Sequence, residues 1–153
     1  PHYSMSGGTI IALAANEIVM DKDAVIGPID PQIGDFMRGT FPAASWIYAA
    51  ETKKEKADDA TLVMSDISRK ALKLTRDVAK ELLEGKIQPG PSGESRLDEV
   101  VDKLVSGEMI HSTPLSAADA KALGLPISTD FPQEVHEFMK LFKPVKKNVE
   151  YVE

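Results

Sequence analysis

The chain has 153 residues, 42% of them hydrophobic, which is long enough for one domain with its own core. A formal charge of −6, with lysine and arginine mixed among the acids, excludes the basic footprint of a nucleic-acid-binding protein and leaves a peptide or small molecule as partner. The absence of cysteine excludes a disulfide scaffold, a thiol nucleophile and thiolate metal ligands, and His2, His111 and His136 are spaced too widely for a histidine metal motif.

The first element carries the chemistry. Ser6 stands in Tyr3-Ser4-Met5-Ser6-Gly7-Gly8, directly ahead of the small apolar run Thr9-Ile10-Ile11-Ala12-Leu13-Ala14-Ala15. Helix N-termini present unpaired N–H groups and a partial positive charge, which favour an oxyanion. Gly7 and Gly8 lack a Cβ, so a peptide carbonyl can approach the backbone there. Ser6 therefore reads either as a nucleophile presented at a helix mouth or as an ordinary serine N-cap.

Residues 7–16 predict a short helix, apolar nearly all round and so centrally buried. Glu17-Ile18-Val19-Met20 and Ala24-Val25-Ile26 predict two short strands, the second closed by Gly27-Pro28-Ile29-Asp30-Pro31-Gln32, a rigid loop of the kind that lines clefts. Residues 33–42, with Gly34, Gly39 and Pro42, read as loop. A helix follows from Ala43 to about Lys54, with Trp46, Ile47 and Ala50 on one side, and then the charged run Lys53-Lys54-Glu55-Lys56.

Asp58 or Asp59 caps the strongest predicted helix, which runs to about Glu84. Along it Leu62, Val63, Ile67, Ala71, Leu74, Val78 and Leu82 recur at spacings of three and four, the pattern of an amphipathic helix. Glycines and prolines make 85–95 a loop. Residues 96–105 form an amphipathic helix, Met109-Ile110-His111 is extended, and Ser116 opens a helix with Asp119 as its capping-box partner and Gly124 past its end. Leu125-Pro126-Ile127 reads as an edge strand. Phe131 to Phe142 is the last helix, residues 1–142 the domain, and 143–153 a charged tail. No stretch reaches the roughly 20 apolar residues of a membrane helix. So few short strands cannot stand alone as a sheet, so either the chain is mainly helical or further strands precede Pro1, and the start directly before the helix favours the second.

The run Met5 to Ala15, followed by Glu17-Ile18-Val19-Met20 and Gly27-Pro28-Ile29-Asp30-Pro31-Gln32, resembles the Clp-protease/crotonase superfamily. Within it the match is to the serine dehydrogenase proteinase branch, similar to signal peptide peptidase A. The segment Gly107 to Leu125, with His111, Pro114 and Ala120-Lys121-Ala122-Leu123-Gly124-Leu125, resembles that branch as well. The resemblance implies an α/β, Clp-protease/crotonase-like fold, helix-rich with a few short strands, of which this is the C-terminal portion. It implies a serine peptidase acting on a peptide or protein substrate, no cofactor, a homo-oligomer with the 58–84 helix at subunit contacts, and a cytoplasmic place or one at the cytoplasmic face of a membrane, reached through an anchor ahead of Pro1.

The same resemblance makes Ser6 the nucleophile and the Gly7 N–H an oxyanion donor, with Gly8 beside it and the second donor upstream of the chain. Clp-type peptidases place a histidine base soon after the serine, and no histidine lies between His2 and His111. Signal peptide peptidase A uses a lysine further on, which points here to Lys53, then Lys54, with Lys56 beyond. A lysine serves as a base where burial or neighbouring positive charge lowers its pKa; an exposed run would not. Asp30 reads as a turn-capping residue between two prolines, or as one that orients a lysine or binds peptide backbone. His111 reads as a packing or capping residue, His2 as lying away from Ser6, and Trp46 and Phe41 as core or interface anchors. Two other functions compete with the Ser-Lys peptidase. One is a catalytically inactive binding or assembly domain, and the other is acyl-CoA chemistry of the crotonase kind, against which the serine-glycine-glycine motif argues.

Overall fold

The computed structural model describes residues 2–35, 37, 39–107, 109 and 111–142. The expected tail, 143–153, lies outside them. Among the described residues the chain is α/β: β1 (Tyr3–Ser4), α1 (Gly7–Leu13), β2 (Ile18–Val19), β3 (Val25–Ile26), β4 (Gln32–Asp35), β5 (Gly39–Pro42), α2 (Ala43–Lys53), α3 (Asp59–Leu83), α4 (Leu97–Val105), β6 (Leu115–Ser116), α5 (Ala117–Leu123), β7 (Ile127–Ser128) and α6 (Gln133–Met139).

Three small sheets result. β1 and β3 are parallel, with Ser4 opposite Ile26, and β6 joins β3 antiparallel, with Leu115 opposite Ile26. A parallel pair needs a crossover rather than a tight turn, and α1 with β2 supplies it. β2 in turn pairs with β7, where Ile18 N–H donates to the Pro126 carbonyl at 2.8 Å. Pro126 cannot donate, so it contributes only its oxygen to this ladder.

β4 and β5 form an antiparallel hairpin with Ile33 opposite Phe41, which corrects the reading of 33–42 as loop. Gly39 has φ +79°, the left-handed conformation with which many hairpins leave their turn. A glycine that reads as a breaker is here the first residue of β5, paired with Asp35. Trp46 of α2 fastens the hairpin by donating from Nε1 to the Ile33 carbonyl at 2.8 Å, and Phe41 meets its ring edge-on.

Leu13, Ile26, Leu83, Val100, Val101 and Leu104 form the centre of the core, between α1, β3, α3 and α4. α4 is buried along its apolar face and joined to α3 by ion pairs, Arg76 with Asp102 and Lys80 with Asp98. The capping box of Ser116 and Asp119 is present, with Gly124 left-handed at the end of α5. Met109 lies in a bend and His111 in a turn rather than a strand, and Ile110 between them lies outside the described residues; β6 begins later, at Leu115.

Two helices bury less than their composition suggests. In α1, Thr9 and Leu13 are buried but Ile11 is 76% exposed, because the core covers only one side of a short helix. In α3 the buried residues are Thr61, Met64, Ser65, Ser68, Ala79 and Leu83, whereas Leu62, Val63, Ile67, Leu74 and Val78 are exposed. The apolar face of this helix is wider than the face its neighbours cover. Much of the apolar stripe of α3 therefore lies on the outside of this chain.

Candidate active site

Ser6 links β1 to α1. Its dihedrals, φ 49° and ψ −116°, are those of the first central residue of a type II′ turn, about 60° and −120°, a place usually held by glycine. The Gly8 N–H closes that turn by donating to the Met5 carbonyl at 2.9 Å. A non-glycine residue held there costs about 1–3 kcal/mol and persists only where its surroundings enforce it. Ser6 occupies the N-cap position, yet its side chain makes no capping hydrogen bond. The ordinary serine cap is thereby excluded, and the hydroxyl is left half-buried at the strand-to-helix corner. Such an elbow is the way α/β hydrolases expose a serine nucleophile.

The corner is held from both sides. The buried Thr9 hydroxyl shares its proton between the carbonyls of Ser4, at 2.8 Å, and Gly27, at 2.9 Å, tying the first turn of α1 to the ends of β1 and β3. At the other end of α1, the Lys86 ammonium donates to the carbonyls of Leu13 and Ala14, a cation at a helix C-terminus. Gly7 is exposed, with nothing within 4 Å of the position a Cβ would take. As the first residue of α1 it has no intrahelical acceptor for its N–H. Gly8, expected beside it in the same role, has its N–H engaged by Met5.

Asp30 follows β3 and is not a turn cap. Its side chain is 1% exposed and meets His111, whose Nδ1 lies 2.8 Å from Oδ1 of Asp30. The other oxygen, Oδ2, accepts from Nε2 of Gln32 at 2.6 Å. An ionised carboxylate only accepts, so Nδ1 of His111 carries the proton of the neutral ring and Nε2 is the basic nitrogen. His111 is half-buried, which leaves the ring reachable from solvent.

The sheet brings these groups to one end. β1 and β3 run the same way, so Ser6 and Asp30 both lie beyond their C-terminal ends, while β6 runs back from that end, with His111 ahead of it. Ligands of open α/β sheets bind outside the C-terminal ends of the strands. His111, read from the sequence as packing or capping, is the functional candidate that sequence reasoning passed over. Its signal was distance along the chain, which only pairing of β3 with β6 overcomes.

Lys53 is the last residue of α2 and Lys54 the residue after it. The N-terminus of α2 is fixed near Asp30, where Ala43 N–H donates to the Pro31 carbonyl at 2.9 Å, and ten residues of helix then carry the chain about 15 Å along its axis. Lys53 ends that helix, and Lys54 and Lys56 fall in the 3₁₀ turn after it, all three exposed. Lys54 shares one feature with Ser6, a positive φ of 51°. His2 is exposed on β1's N-terminal side. Grooves of 410 Å³, along Arg96, Lys103, Leu115 and Asp119, and of 290 Å³, along Tyr3, Ala12, Val19 and Ile26, are lined by residues other than Ser6, Asp30 and His111. The buried carboxylate with its two donors marks the site. No cluster of metal-ligating side chains occurs among the described residues.

Two uncharacterised proteins of Methanocaldococcus jannaschii are similar to this chain. One is 45% identical over 142 residues, covering 93% of the chain and 45% of the relative; the other is 43% identical over 149 residues, covering 96% and 49%. The chain thus spans about half the length of the curated relatives it matches. No solved structure matches it. Residues 1–153 match one family throughout, and the chain belongs to the ClpP-like SDH-type serine proteinases.

Proposed function

We propose that this chain hydrolyses peptide bonds with Ser6 as nucleophile, His111 as general base and Asp30 as the residue that orients His111. The buried Asp30–His111 pair, at the same sheet end as the strained Ser6 corner, carries this reading. As Ser6 Oγ attacks the scissile carbonyl, Nε2 of His111 takes its proton. The negative charge that develops on the carbonyl oxygen faces the Gly7 N–H and the positive end of α1. Collapse breaks the C–N bond and the amine leaves with the proton held on Nε2. Water, deprotonated by the same nitrogen, then hydrolyses the acyl-enzyme. Asp30 fixes the tautomer and faces the imidazolium without itself taking a proton.

A Ser-Lys dyad with Lys53 or Lys54 as base, supplied within the subunit or from a neighbouring one, is the second reading, favoured by the strained backbone of Lys54. The exposed stripe of α3 is the surface on which the homo-oligomer implied by the resemblance would assemble. An inactive binding or assembly domain is the remaining alternative.

Labelling with a fluorophosphonate probe and cleavage of an unfolded protein substrate separate these readings. Ser6→Ala abolishes both signals, and His111→Ala lowers the labelling rate by at least about 100-fold, the lower range of general-base contributions. Labelling retained in His111→Ala but lost in Lys53→Ala or Lys54→Ala moves the base to lysine. Absence of both labelling and cleavage in the full-length protein favours the binding domain.

A further inference from the structure

The Asp30 carboxylate has a donor on each oxygen, His111 on Oδ1 and Gln32 on Oδ2. Rotation about its Cβ–Cγ bond would break both contacts. Burial matters here, because a lost donor leaves a carboxylate oxygen without ready access to water, which is costly. Gln32 is also the first residue of β4, paired with Pro42 of β5, and the carbonyl of the next residue, Ile33, is held by Trp46 Nε1. Its backbone belongs to the hairpin and its side chain to the site.

We propose that Gln32 is a positioning residue that fixes the Asp30 carboxylate against His111, and that through it the place of the β4–β5 hairpin governs the tautomer of His111. With Gln32 in place, Oδ1 faces Nδ1 and Nε2 of the ring remains free to take a proton. When the hairpin is displaced, the carboxylate turns, the ring is no longer held as the Nδ1–H form, and the proton moves in part to Nε2, where the ring cannot act as base towards Ser6. The hairpin thereby becomes the part of the molecule through which a bound chain or a neighbouring subunit could switch the site. This proposal rests on the reading of Ser6, His111 and Asp30 given above.

Ring ¹⁵N spectra of the labelled protein read the His111 tautomer whether or not the protein cleaves anything, and with three histidines in the chain each signal is assignable by single substitution. Gln32→Met keeps the length of the side chain and removes the donor. The expected result is His111 as the Nδ1–H form in the unsubstituted protein and a mixture of tautomers in Gln32→Met. Emission of Trp46, the one tryptophan, stays unchanged because β4 remains paired, and fluorophosphonate labelling of Ser6 slows by about 10- to 100-fold, the usual effect of losing an orienting partner. Should Gln32→Met disturb Trp46, Gln32→Leu removes the donor without adding a charge beside Asp30 and gives the same reading. A pure Nδ1–H ring in the variant with unchanged Trp46 emission overturns the proposal. A shifted tautomer in a protein whose Ser6 never labels leaves the positioning role standing and removes the catalytic reading beneath it.

Discussion

His111 meets Asp30 because each lies four residues from the Ile26–Leu115 pair, on strands that run in opposite directions. Continuing that antiparallel register past the end of β3 and ahead of β6 places residue 30 opposite residue 111. The chain between them contains α2, α3 and α4, so the pair is held by the whole fold rather than by a local turn.

Replacing Ser6 with glycine separates strain from chemistry. The positive φ of Ser6 suits glycine, so Ser6→Gly stabilises the protein by about 1 kcal/mol after the entropy of the unfolded chain is counted, while Ser6→Ala keeps the strain. Both abolish fluorophosphonate labelling. Denaturant unfolding monitored at Trp46 measures the difference, and a destabilised Ser6→Gly contradicts a strained corner.

Two glycines near the site respond in opposite ways. A Cβ at Gly34 would run into the backbone of Gly39 and Thr40, with the Thr40 Cα at 2.6 Å. The hairpin must open, so Gly34→Ala costs about 1–3 kcal/mol and shifts Trp46 emission to the red. A Cβ at Gly7 meets nothing within 4 Å, so Gly7→Ala leaves the melting temperature unchanged or raised while slowing any reaction that needs close approach to that N–H. Equal stability of the two variants would contradict the packing of the hairpin.

Acid weakens the ion pairs of α4 and the cap of α5. Asp98 is held below its ordinary 3.8 by the Lys80 ammonium, with Arg76 adding to it, and Glu99 below 4.5 by Arg96. Asp119 is held below 3.8 by the Ser116 hydroxyl and N–H of the capping box. Each folded-state value lies below the unfolded one, so the unfolded chain binds more protons in acid. Their stabilisation is complete above these ordinary values and is lost as pH falls through the lowered ones. All three groups are exposed, so the effect is modest and its ionic part fades with salt. Thermal melts between about pH 6 and pH 3 are expected to show the loss below pH 4.5, smaller at high salt; a flat profile contradicts it.

The stripe on α3 supplies a test of assembly. Ile67 and Leu74 are 43% and 66% exposed, so changing both to glutamate costs the fold little. If the stripe is the subunit contact, sedimentation equilibrium shows the mass of the assembly falling to that of one chain. An oligomer of unchanged mass moves the contact elsewhere.

Local signals were legible where short-range physics decides. Asp58 caps α3 through the Thr61 N–H, and Ser116 with Asp119 makes its capping box, because caps depend on residues three apart. The hairpin was not legible: Gly34, Gly39 and Pro42 have the composition of a loop, and their pairing is secured by Trp46 from another element. The orientation of α3 was not legible either, since periodicity marks an apolar face without saying how much of it a neighbour covers.

The sequence by itself determined that Ser6 stands at the mouth of a helix ahead of two glycines, that two short strands follow it, and that most of the remaining elements are helices. These follow from side-chain size, proline and glycine geometry, and hydrophobic spacing, all of which act within a few residues. Only the tertiary structure decided that Ser6 does not cap its helix, that Asp30 is buried rather than turning the chain, and that His111 is its partner. Those facts depend on the register of three strands drawn from distant parts of the chain, and register is set by how the core packs.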